Sequence, residues 1–230
     1  MINRLQRALM RLERQSRVPR LWSNRMLAQI GPLFDGDVCN VSAWKDEDKE
    51  GRHYRDYFPN ARSYTLSNLK ADTVRGAQSD EIEIDLERPL PPDMADRFDV
   101  IFNHTTLEHL YDVQTAVQNL CRLTRDAVIL VVPFLQMVHH TATYGDYWRF
   151  TPLALQRLFQ DNELEVVFCA FTDEPNAGVY ILAVASKQPE RWRGRLPAWS
   201  ADWNMVVGAK AVRSPWLFLF TLARRLGYIE

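Results

Sequence analysis

Apolar residues in this chain are grouped in short continuous runs, and segments with helical spacing of apolar positions lie between the runs. The clearest example is in the middle of the chain, where one run covers Phe98–Phe102 and a second covers Ala127–Val132. The first run ends at Asn103-His104, and helical spacing then extends from Leu107 to Leu123. Continuous apolar strands joined by a helix are typical of a βαβ unit in a parallel sheet that is buried on both faces. Ligands bind beside the strand ends of such sheets, which favours a small-molecule site just after these runs.

Shorter runs complete a predicted seven-stranded sheet. The remaining strands are predicted at Asp37–Val41, Ser63–Leu66, Glu81–Leu86, Glu165–Phe171 and Val179–Ser186. Asp46–Glu50 is predicted to be a charged loop, Tyr54–Phe58 a helical turn, and Thr151–Phe159 a capped helix. The connection Thr172–Gly178 is short enough for a hairpin, which requires the last two strands to be antiparallel. We therefore expect an α/β fold with a mostly parallel sheet, a C-terminal antiparallel hairpin and flanking helices.

Two terminal segments flank the central domain, which is predicted to span residues 31–187. The first segment, residues 1–30, carries seven arginines and one acid, and its apolar positions predict a basic amphipathic helix ended by Pro19. The second, residues 188–230, is predicted to be an irregular extension followed by an apolar helix from Ser214-Pro215. Each of these two terminal helices would either pack on its own domain or bind a partner. The basic helix would meet an acidic protein or an anionic membrane surface, and the apolar helix a second subunit of a homodimer or the membrane itself.

Composition narrows the function classes. The chain has 230 residues, 47% of them hydrophobic, and a net charge of −1, so no bulk field favours nucleic acid. The three cysteines are widely separated, and we expect buried free thiols in a reducing cytoplasm. No secretory signal and no membrane span of ~18 apolar residues is expected. No metal is expected either: Glu108, His109 and His139-His140 offer ligand types, but adjacent histidines in a loop point apart and no fixed ligand spacing occurs.

Six segments, taken in order and spacing, resemble one enzyme family. They are Tyr54–Ala61, Ile84–Leu86, Phe98–Ile101, Leu107–Leu110, Val132–Phe134, and His139 together with Asp146–Thr151. Over residues 37–187 the chain resembles the class I S-adenosylmethionine-dependent methyltransferases. It is most similar to the methyltransferase-domain proteins associated with glycan and cell-surface polysaccharide biosynthesis.

The resemblance implies a Rossmann-like sheet that binds S-adenosylmethionine over its first four strand ends. The turn after the first strand, with Ser42 and Ala43, would hold the methionine part of the cofactor. Ser67 or Asn68 would face the ribose. The other implied cofactor residues are Asp85 and Leu86 for the adenine, and Asn103 and His104 near the sulfonium.

Two departures from the family pattern concern cofactor binding. Ser42 and Trp44 stand where the family usually has glycines, which allow the cofactor to approach the backbone closely. The second strand ends in the neutral pair Ser67-Asn68 instead of the family's carboxylate, which would accept hydrogen bonds from both ribose hydroxyls. A Trp44 side chain inside the crevice would favour loss of cofactor binding.

Methyl transfer to a hydroxyl requires a base, and five side chains are candidates: His104, His109, His139, His140 and Asp146. His139 is the first choice, because it follows the end of the fifth strand, and Asp146 is the second. Tyr144 and Trp148 would stack on a sugar ring or anchor the loop. Arg149 would bind a phosphate or carboxylate of the acceptor, or pair internally with Asp146.

Two functions are therefore predicted from the sequence. The first is a cytoplasmic S-adenosylmethionine-dependent methyltransferase that methylates a hydroxyl of a sugar, glycan or glycolipid precursor. If the terminal helices bind lipid, this enzyme would work at the inner membrane surface. The second is a catalytically inactive methyltransferase-like scaffold or binding module, which the departures at Ser42, Trp44 and Asn68 favour.

Overall fold

The computed structural model describes residues 18–48, 50–69, 81–136, 138–171 and 179–199. Within these ranges seven strands form one sheet with the order β3-β2-β1-β4-β5-β7-β6. The strands are β1 Gly36–Val41, β2 Ala61–Asn68, β3 Ile82–Glu83, β4 Phe98–His104, β5 Thr124–Pro133, β6 Glu165–Phe171 and β7 Tyr180–Ser186. The α-helices are α1 Val18–Ile30, α2 Val113–Leu123, α3 Pro152–Gln160 and the single turn α4 Pro189–Trp192. Short 3-10 turns lie at Gly31–Leu33, Tyr54–Tyr57, Pro92–Met94 and Leu107–His109.

The predicted fold class is confirmed. Six strands run in one direction, and β7 runs antiparallel to its neighbours β5 and β6. The last two strands therefore pair as the short connection between them required, although that connection, residues 172–178, lies outside the described residues. The helical turn predicted at Tyr54–Phe58 is also present, as the 3-10 turn Tyr54–Tyr57.

The third strand is much shorter than its alternating pattern predicted. Only Ile82 and Glu83 pair with β2. The chain then turns, because the Asp85 carboxylate accepts the Glu87 N–H at 2.9 Å and the Asp85 carbonyl accepts the Arg88 N–H at 3.2 Å. The two apolar residues that suggested a longer strand, Ile84 and Leu86, are instead buried in the core.

The helix predicted from Leu107 to Leu123 is interrupted. A 3-10 turn covers Leu107–His109, and α2 begins only at Val113. Asp112 is the N-cap of α2, and its carboxylate accepts the Thr115 N–H at 3.1 Å. An acidic N-cap satisfies a backbone donor of the first turn, so the helix starts after Asp112. The interruption leaves the Glu108 carbonyl available to accept the Tyr147 N–H at 2.7 Å.

The described helix α1 begins at Val18, whereas the basic helix predicted to end at Pro19 falls mainly in residues 1–17, outside the described residues, so its end there stays a prediction. Pro19 lies in the first turn of α1, where the missing N–H of proline removes no intrahelical bond. Trp22, Leu27 and Ile30 of α1 are buried against the sheet. Residues 1–17 and the predicted helix from Ser214 lie outside the described residues, so docking through the terminal segments stays a prediction.

The sheet is buried on both faces, as the continuous apolar runs predicted. Val100 and Phe102 of β4 lie on the face covered by α1, and Ile101 between them lies on the face covered by α2 and α3. Three thiols, Cys39, Cys121 and Cys169, are buried and free, and burial raises the pKa of each to about 12. In the described part of the chain, every helix is too short or too polar to cross a membrane.

Candidate functional site

The ends of three parallel strands meet at one edge of the sheet. Val41, the last residue of β1, is paired with Ser67 of β2 on one side and with Asn103 of β4 on the other. The chain reverses its direction of winding at this point, since β2 and β3 lie on one side of β1 and β4 and β5 on the other. Such a switch point opens a crevice at the carboxyl ends of the strands, where α/β proteins bind ligands.

The turn after β1 has an unusual backbone. Ser42, Trp44 and Asp46 all have positive φ values, of 60°, 52° and 58°. This left-handed region is the one that glycine adopts without steric cost, and it costs other L-residues roughly 1–2 kcal/mol each. The turn therefore keeps a glycine-like path at both positions where the family resemblance implied glycines. The Trp44 residue is 51% exposed, so its indole is not buried as a plug beneath the turn.

Asn68, at the end of β2, holds this turn in place. Its Oδ1 accepts the Trp44 N–H at 2.8 Å, and its Nδ2 donates to the Trp44 carbonyl at 3.3 Å. The same Nδ2 donates to Oε2 of Glu81 at 3.0 Å. The Asn68 amide thus contacts the turn backbone, and the carboxylate at the end of β2 comes from Glu81. Sequence reasoning missed Glu81 because it precedes β3 and is 13 residues away in the chain.

Asp46 is a buried acid within the segment that was predicted to be a charged loop. Its carboxylate accepts hydrogen bonds from Asn40 Nδ2 at 2.8 Å, from the Tyr64 hydroxyl at 2.9 Å and from the Arg55 N–H at 3.2 Å. It therefore ties the turn to β1, to β2 and to the 3-10 turn that follows. The described part of this segment is a loop, as predicted, and within it the Asp46 carboxylate faces inward and is satisfied by the protein.

Asp48 is the second buried acid of this segment. Its carboxylate accepts from the Tyr57 hydroxyl at 2.7 Å and from two backbone N–H groups, of Glu50 and Arg52. These hydrogen bonds hold the pKa of the Asp48 carboxyl below its usual value although burial acts to raise it. The sequence gives no signal for either, because Asp46, Glu47 and Asp48 are all acidic and only the structure separates the exposed Glu47 from its two buried neighbours.

Asn103 and His104 are neighbours on β4 whose side chains point in opposite directions. Asn103 Nδ2 donates to the Val41 carbonyl at 2.9 Å, and its buried Oδ1 has no hydrogen-bond partner among the described residues. His104 lies under α1 instead, with Nε2 3.1 Å from Ser23 Oγ and its ring against Tyr54. The structure therefore brings Asn103, and not His104, beside the end of β1.

Asp85 and Leu86 lie after β3. Leu86 is buried in the core, and its carbonyl accepts from Asn119 Nδ2 at 2.9 Å, which ties this loop to α2. Asp85 is partly exposed, and one of its oxygens accepts the Glu87 N–H.

A second group of side chains follows the ends of β4 and β5. Asp146 is buried, and its carboxylate accepts from Arg149 Nη1 at 2.6 Å and Nη2 at 2.7 Å. It also accepts the His139 N–H at 2.7 Å and lies 3.2 Å from His139 Nδ1. The Arg149 guanidinium, above all, holds the pKa of the Asp146 carboxyl well below its usual range. Of the two roles left open for Arg149, the structure shows the ion pair with Asp146.

Glu108 and His109 lie against this group, and no functional role had been predicted for Glu108. Both Glu108 carboxylate oxygens are buried without a hydrogen-bond partner among the described residues, and burial raises the pKa of this carboxyl to about 7. His109 Nδ1 is 2.6 Å from the Gly145 carbonyl, and its ring packs edge-on against His139 and Tyr144 at 5.0 and 4.6 Å. Burial lowers the pKa of His109.

The aromatic residues of the loop after β5 differ in their surroundings. Trp148 Nε1 donates to the carbonyls of Leu110 and Tyr111 at 2.9 and 3.2 Å, so this side chain anchors the loop. Tyr144 is partly exposed on a shallow concavity of about 470 Å³ that is lined by residues 140–147. Of the two predicted stacking residues, only Tyr144 lines this concavity.

Comparison with known proteins extends these observations at the level of the fold. No protein family and no curated protein sequence matches the chain. Among solved structures, it is similar to the Burkholderia thailandensis 1,6-didemethyltoxoflavin-N1-methyltransferase, which was solved with S-adenosylhomocysteine and its substrate. The identity is 18%, the likeness covers 74% of this chain and 78% of that one, and the TM-score is 0.50.

Two further structures resemble the chain slightly more closely in shape. A Listeria monocytogenes protein assigned as an S-adenosylmethionine-dependent methyltransferase has a TM-score of 0.52 at 10% identity, over 74% of this chain and 99% of that one. A Haloferax volcanii structure, the complex of a methyltransferase activator with a protein assigned as a methyltransferase, has a TM-score of 0.53 at 12% identity, over 75% and 91%. At such identities the likeness establishes the architecture alone. The chain has the seven-stranded, Rossmann-like fold of class I S-adenosylmethionine-dependent methyltransferases.

Proposed function

We propose that this protein is an S-adenosylmethionine-dependent methyltransferase. The observation that carries the proposal is the turn after β1, where Ser42 and Trp44 adopt the left-handed backbone that glycines supply in this fold. That turn lies between the ends of β2 and β4, at the crevice where α/β sheets bind ligands. Two left-handed non-glycine residues are costly, and strained backbone of this kind is concentrated at ligand sites.

The residues at this edge fit the chemistry of the cofactor. Asn103 Oδ1 is a buried acceptor without a partner among the described residues, and it suits the ammonium group of the methionine part. Glu81, hydrogen-bonded to Asn68, supplies a carboxylate for the ribose hydroxyls in place of the one that the end of β2 lacks. Ser42 and Ala43 would contribute backbone groups, and Asp85 with Leu86 would border the adenine. The cofactor supplies a methyl group on a positively charged sulfur.

We further propose that the acceptor is a hydroxyl of a sugar, glycan or glycolipid precursor. His139 would take the proton of the attacking hydroxyl, and Asp146, fixed by Arg149, would orient the imidazole and stabilise its protonated form. The partly exposed ring of Tyr144 offers a stacking surface at the loop beside His139. The sugar class itself is supported by the resemblance of sequence segments, which is an analogy at the level of the family.

Transfer of labelled methyl groups tests this function. The full chain would be incubated with methyl-labelled S-adenosylmethionine and a panel of sugars, nucleotide sugars and glycolipids. We expect labelling of at least one acceptor, and we expect His139→Ala to reduce the rate by about 10²–10⁴-fold while S-adenosylhomocysteine affinity is retained. Cofactor binding without transfer to any hydroxylated acceptor would contradict the acceptor class, and an unchanged rate in His139→Ala would contradict the assigned base.

A catalytically inactive scaffold or binding module is the second candidate, and the contacts of Asn68 favour it. The amide of Asn68 is engaged with the Trp44 backbone, so the end of β2 presents no carboxylate of its own. The two candidates differ in one observable, since a module that has lost its cofactor gives no binding of S-adenosylhomocysteine.

A further inference from the structure

A buried carboxylate and two imidazoles converge at the carboxyl ends of β4 and β5. Glu108, His109 and His139 each offer one ligand atom, and these atoms all lie within 4.8 Å of one another. Glu108 and His109 belong to the 3-10 turn after β4, and His139 follows β5. The cluster is therefore built by the fold from two segments that are 30 residues apart in the sequence.

The state of Glu108 requires an explanation. The residue is 0% exposed, and neither carboxylate oxygen has a hydrogen-bond partner among the described residues. A buried polar group without a partner costs roughly 1–3 kcal/mol, and more when it is charged. Buried carboxylates in proteins are paired, hydrogen-bonded or bound to a metal. A cation between Glu108 and the two histidines would bind one of these oxygens and balance the charge of the carboxylate.

The proton position on His109 suits metal binding. Nδ1 lies 2.6 Å from the Gly145 carbonyl, and a carbonyl only accepts, so Nδ1 carries the proton. Nε2 then has a lone pair, and it lies 3.8 Å from Glu108 Oε1. Metal-binding histidines almost always donate their second N–H to a carbonyl or carboxylate in this way.

His139 has the corresponding support from a carboxylate. Its Nδ1 is 3.2 Å from Asp146 Oδ2, and Asp146 is fixed by the two hydrogen bonds from Arg149. Carboxylate–histidine pairs of this kind orient imidazoles toward metals and raise their basicity. Asp146 takes two hydrogen bonds from the Arg149 guanidinium, whereas neither oxygen of Glu108 has a hydrogen-bond partner among the described residues.

We propose that Glu108, His109 and His139 bind a divalent transition-metal ion, and the donor set of two imidazoles and one carboxylate points to Zn²⁺. In a tetrahedral site with bonds of about 2.0–2.1 Å, the ligand atoms are roughly 3.3 Å apart. The 3.8 Å between His109 Nε2 and Glu108 Oε1 is close to that spacing, and the ligand atom of His139 lies within 4.8 Å of both. Three protein ligands leave a fourth position open for water or an acceptor oxygen. A His139 nitrogen bound to the metal cannot also take the proton of the acceptor, so in the metal-bound protein the base would be at this fourth position.

The sequence-based expectation of no metal rested on the adjacent pair His139-His140 and on the lack of a fixed ligand spacing. The structure separates the two, because His139 faces the cluster and His140 is exposed outside it. The ligands that join His139 come from the turn after β4, which no spacing within the His139-His140 segment reveals.

Metal titration of the full chain tests this proposal without cofactor or acceptor, so its result is independent of the methyltransferase proposal. Protein treated with a chelator and then dialysed would be titrated with Zn²⁺ by calorimetry, and with Co²⁺ followed by absorption as a report of tetrahedral coordination. We expect one ion per chain. Asp146→Asn should weaken binding by about 10–100-fold, as losses of outer partners do, and His139→Ala should weaken it more.

His140→Ala is the matched control, since it removes the neighbouring imidazole and should leave the affinity unchanged. Glu108→Gln keeps the shape of the buried side chain, so it provides a folded variant that lacks the anionic ligand. Circular dichroism would show that each variant is folded. Absence of Zn²⁺ binding by the wild type at millimolar metal, equal losses in His139→Ala and His140→Ala, or full binding by Glu108→Gln would each overturn the proposal.

Discussion

Removal of the Asp46 carboxylate should destabilise the turn after β1 and with it the whole domain. This carboxylate is the common acceptor for Asn40 Nδ2, the Tyr64 hydroxyl and the Arg55 N–H. Asp46→Ala deletes the acceptor and leaves these three donors in place. The residue is only 2% exposed, so water has little access to the position that the carboxylate occupies.

The size of the effect follows from the burial of the donors. Asn40 is fully buried, and a buried donor left without a partner costs about 1–3 kcal/mol. The Tyr64 hydroxyl and the Arg55 N–H are partly buried, and their lost hydrogen bonds cost about 0.5–1.5 kcal/mol each. We therefore expect Asp46→Ala to lower the free energy of unfolding by about 3 kcal/mol, a large share of the ~5–15 kcal/mol typical of a domain.

Urea unfolding followed by circular dichroism measures this change. Glu47→Ala is the matched control, because Glu47 is the exposed acid next to Asp46 and should change stability by less than about 0.5 kcal/mol. A loss below about 1 kcal/mol for Asp46→Ala, or equal losses in the two variants, would refute the reasoning that this carboxylate holds the turn.

Three further changes test other parts of the structure by urea unfolding. Trp44→Gly and Trp44→Ala both remove the indole, but glycine avoids the roughly 1–2 kcal/mol cost of a left-handed residue and adds only ~0.5–1 kcal/mol of chain entropy, so Trp44→Gly should be the more stable of the two variants; the opposite order would contradict this. Burial raises the pKa of Glu108 to about 7, so the free energy of unfolding of chelator-treated protein should fall as the pH rises from 4.5 to 7. The free energy of unfolding of Glu108→Gln should therefore exceed that of the wild type by about 3 kcal/mol at pH 8 and by little at pH 4. An advantage that does not depend on pH would contradict the burial argument. The pKa of Asp37 is lowered to about 2, chiefly by Arg62, so its stabilisation is present above pH ~4 and is lost toward pH 2. Asp37→Asn should therefore be less stable than the wild type at pH 6 and equal to it near pH 2, and a constant deficit would be inconsistent with this ion pair.

The sequence predicted the sheet well because continuous apolar runs of strand length are typical of central strands in a sheet that is covered on both faces. Strands such as Ala127–Val132 are buried on both faces, and only a central position in a layered α/β fold buries them so completely. The hairpin of β6 and β7 followed from chain length alone, since a short connection cannot join parallel neighbours.

Predictions failed where side-chain contacts across the fold override the local pattern. The alternation in Glu81–Leu86 suggested a full strand, but Asp85 accepts local backbone donors and the strand ends at Glu83. Helical spacing after Leu107 likewise did not reveal that Asp112 caps a later helix start.

The candidate site was predicted only in part, because the order of the strands in the sheet brings together residues that are far apart in the sequence. The pairing of His139 with Asp146 lies within one segment and was within reach of sequence reasoning. The approach of Glu108 and His109 to His139 depends on β4 and β5 being neighbours, and the approach of Glu81 to Asn68 depends on the pairing of β3 with β2. Neither follows from spacing along the chain.

Calorimetric titration of the full chain with S-adenosylhomocysteine shows whether the crevice at the ends of β1, β2 and β4 binds the cofactor. We expect one site per chain with a dissociation constant near the micromolar range, about −8 kcal/mol. Asn103→Ala should weaken binding because it removes the buried acceptor beside the turn, and Asn60→Ala, an exposed asparagine before β2, should leave binding unchanged. Absence of any binding heat at millimolar ligand would contradict the methyltransferase account and leave the non-catalytic module in its place.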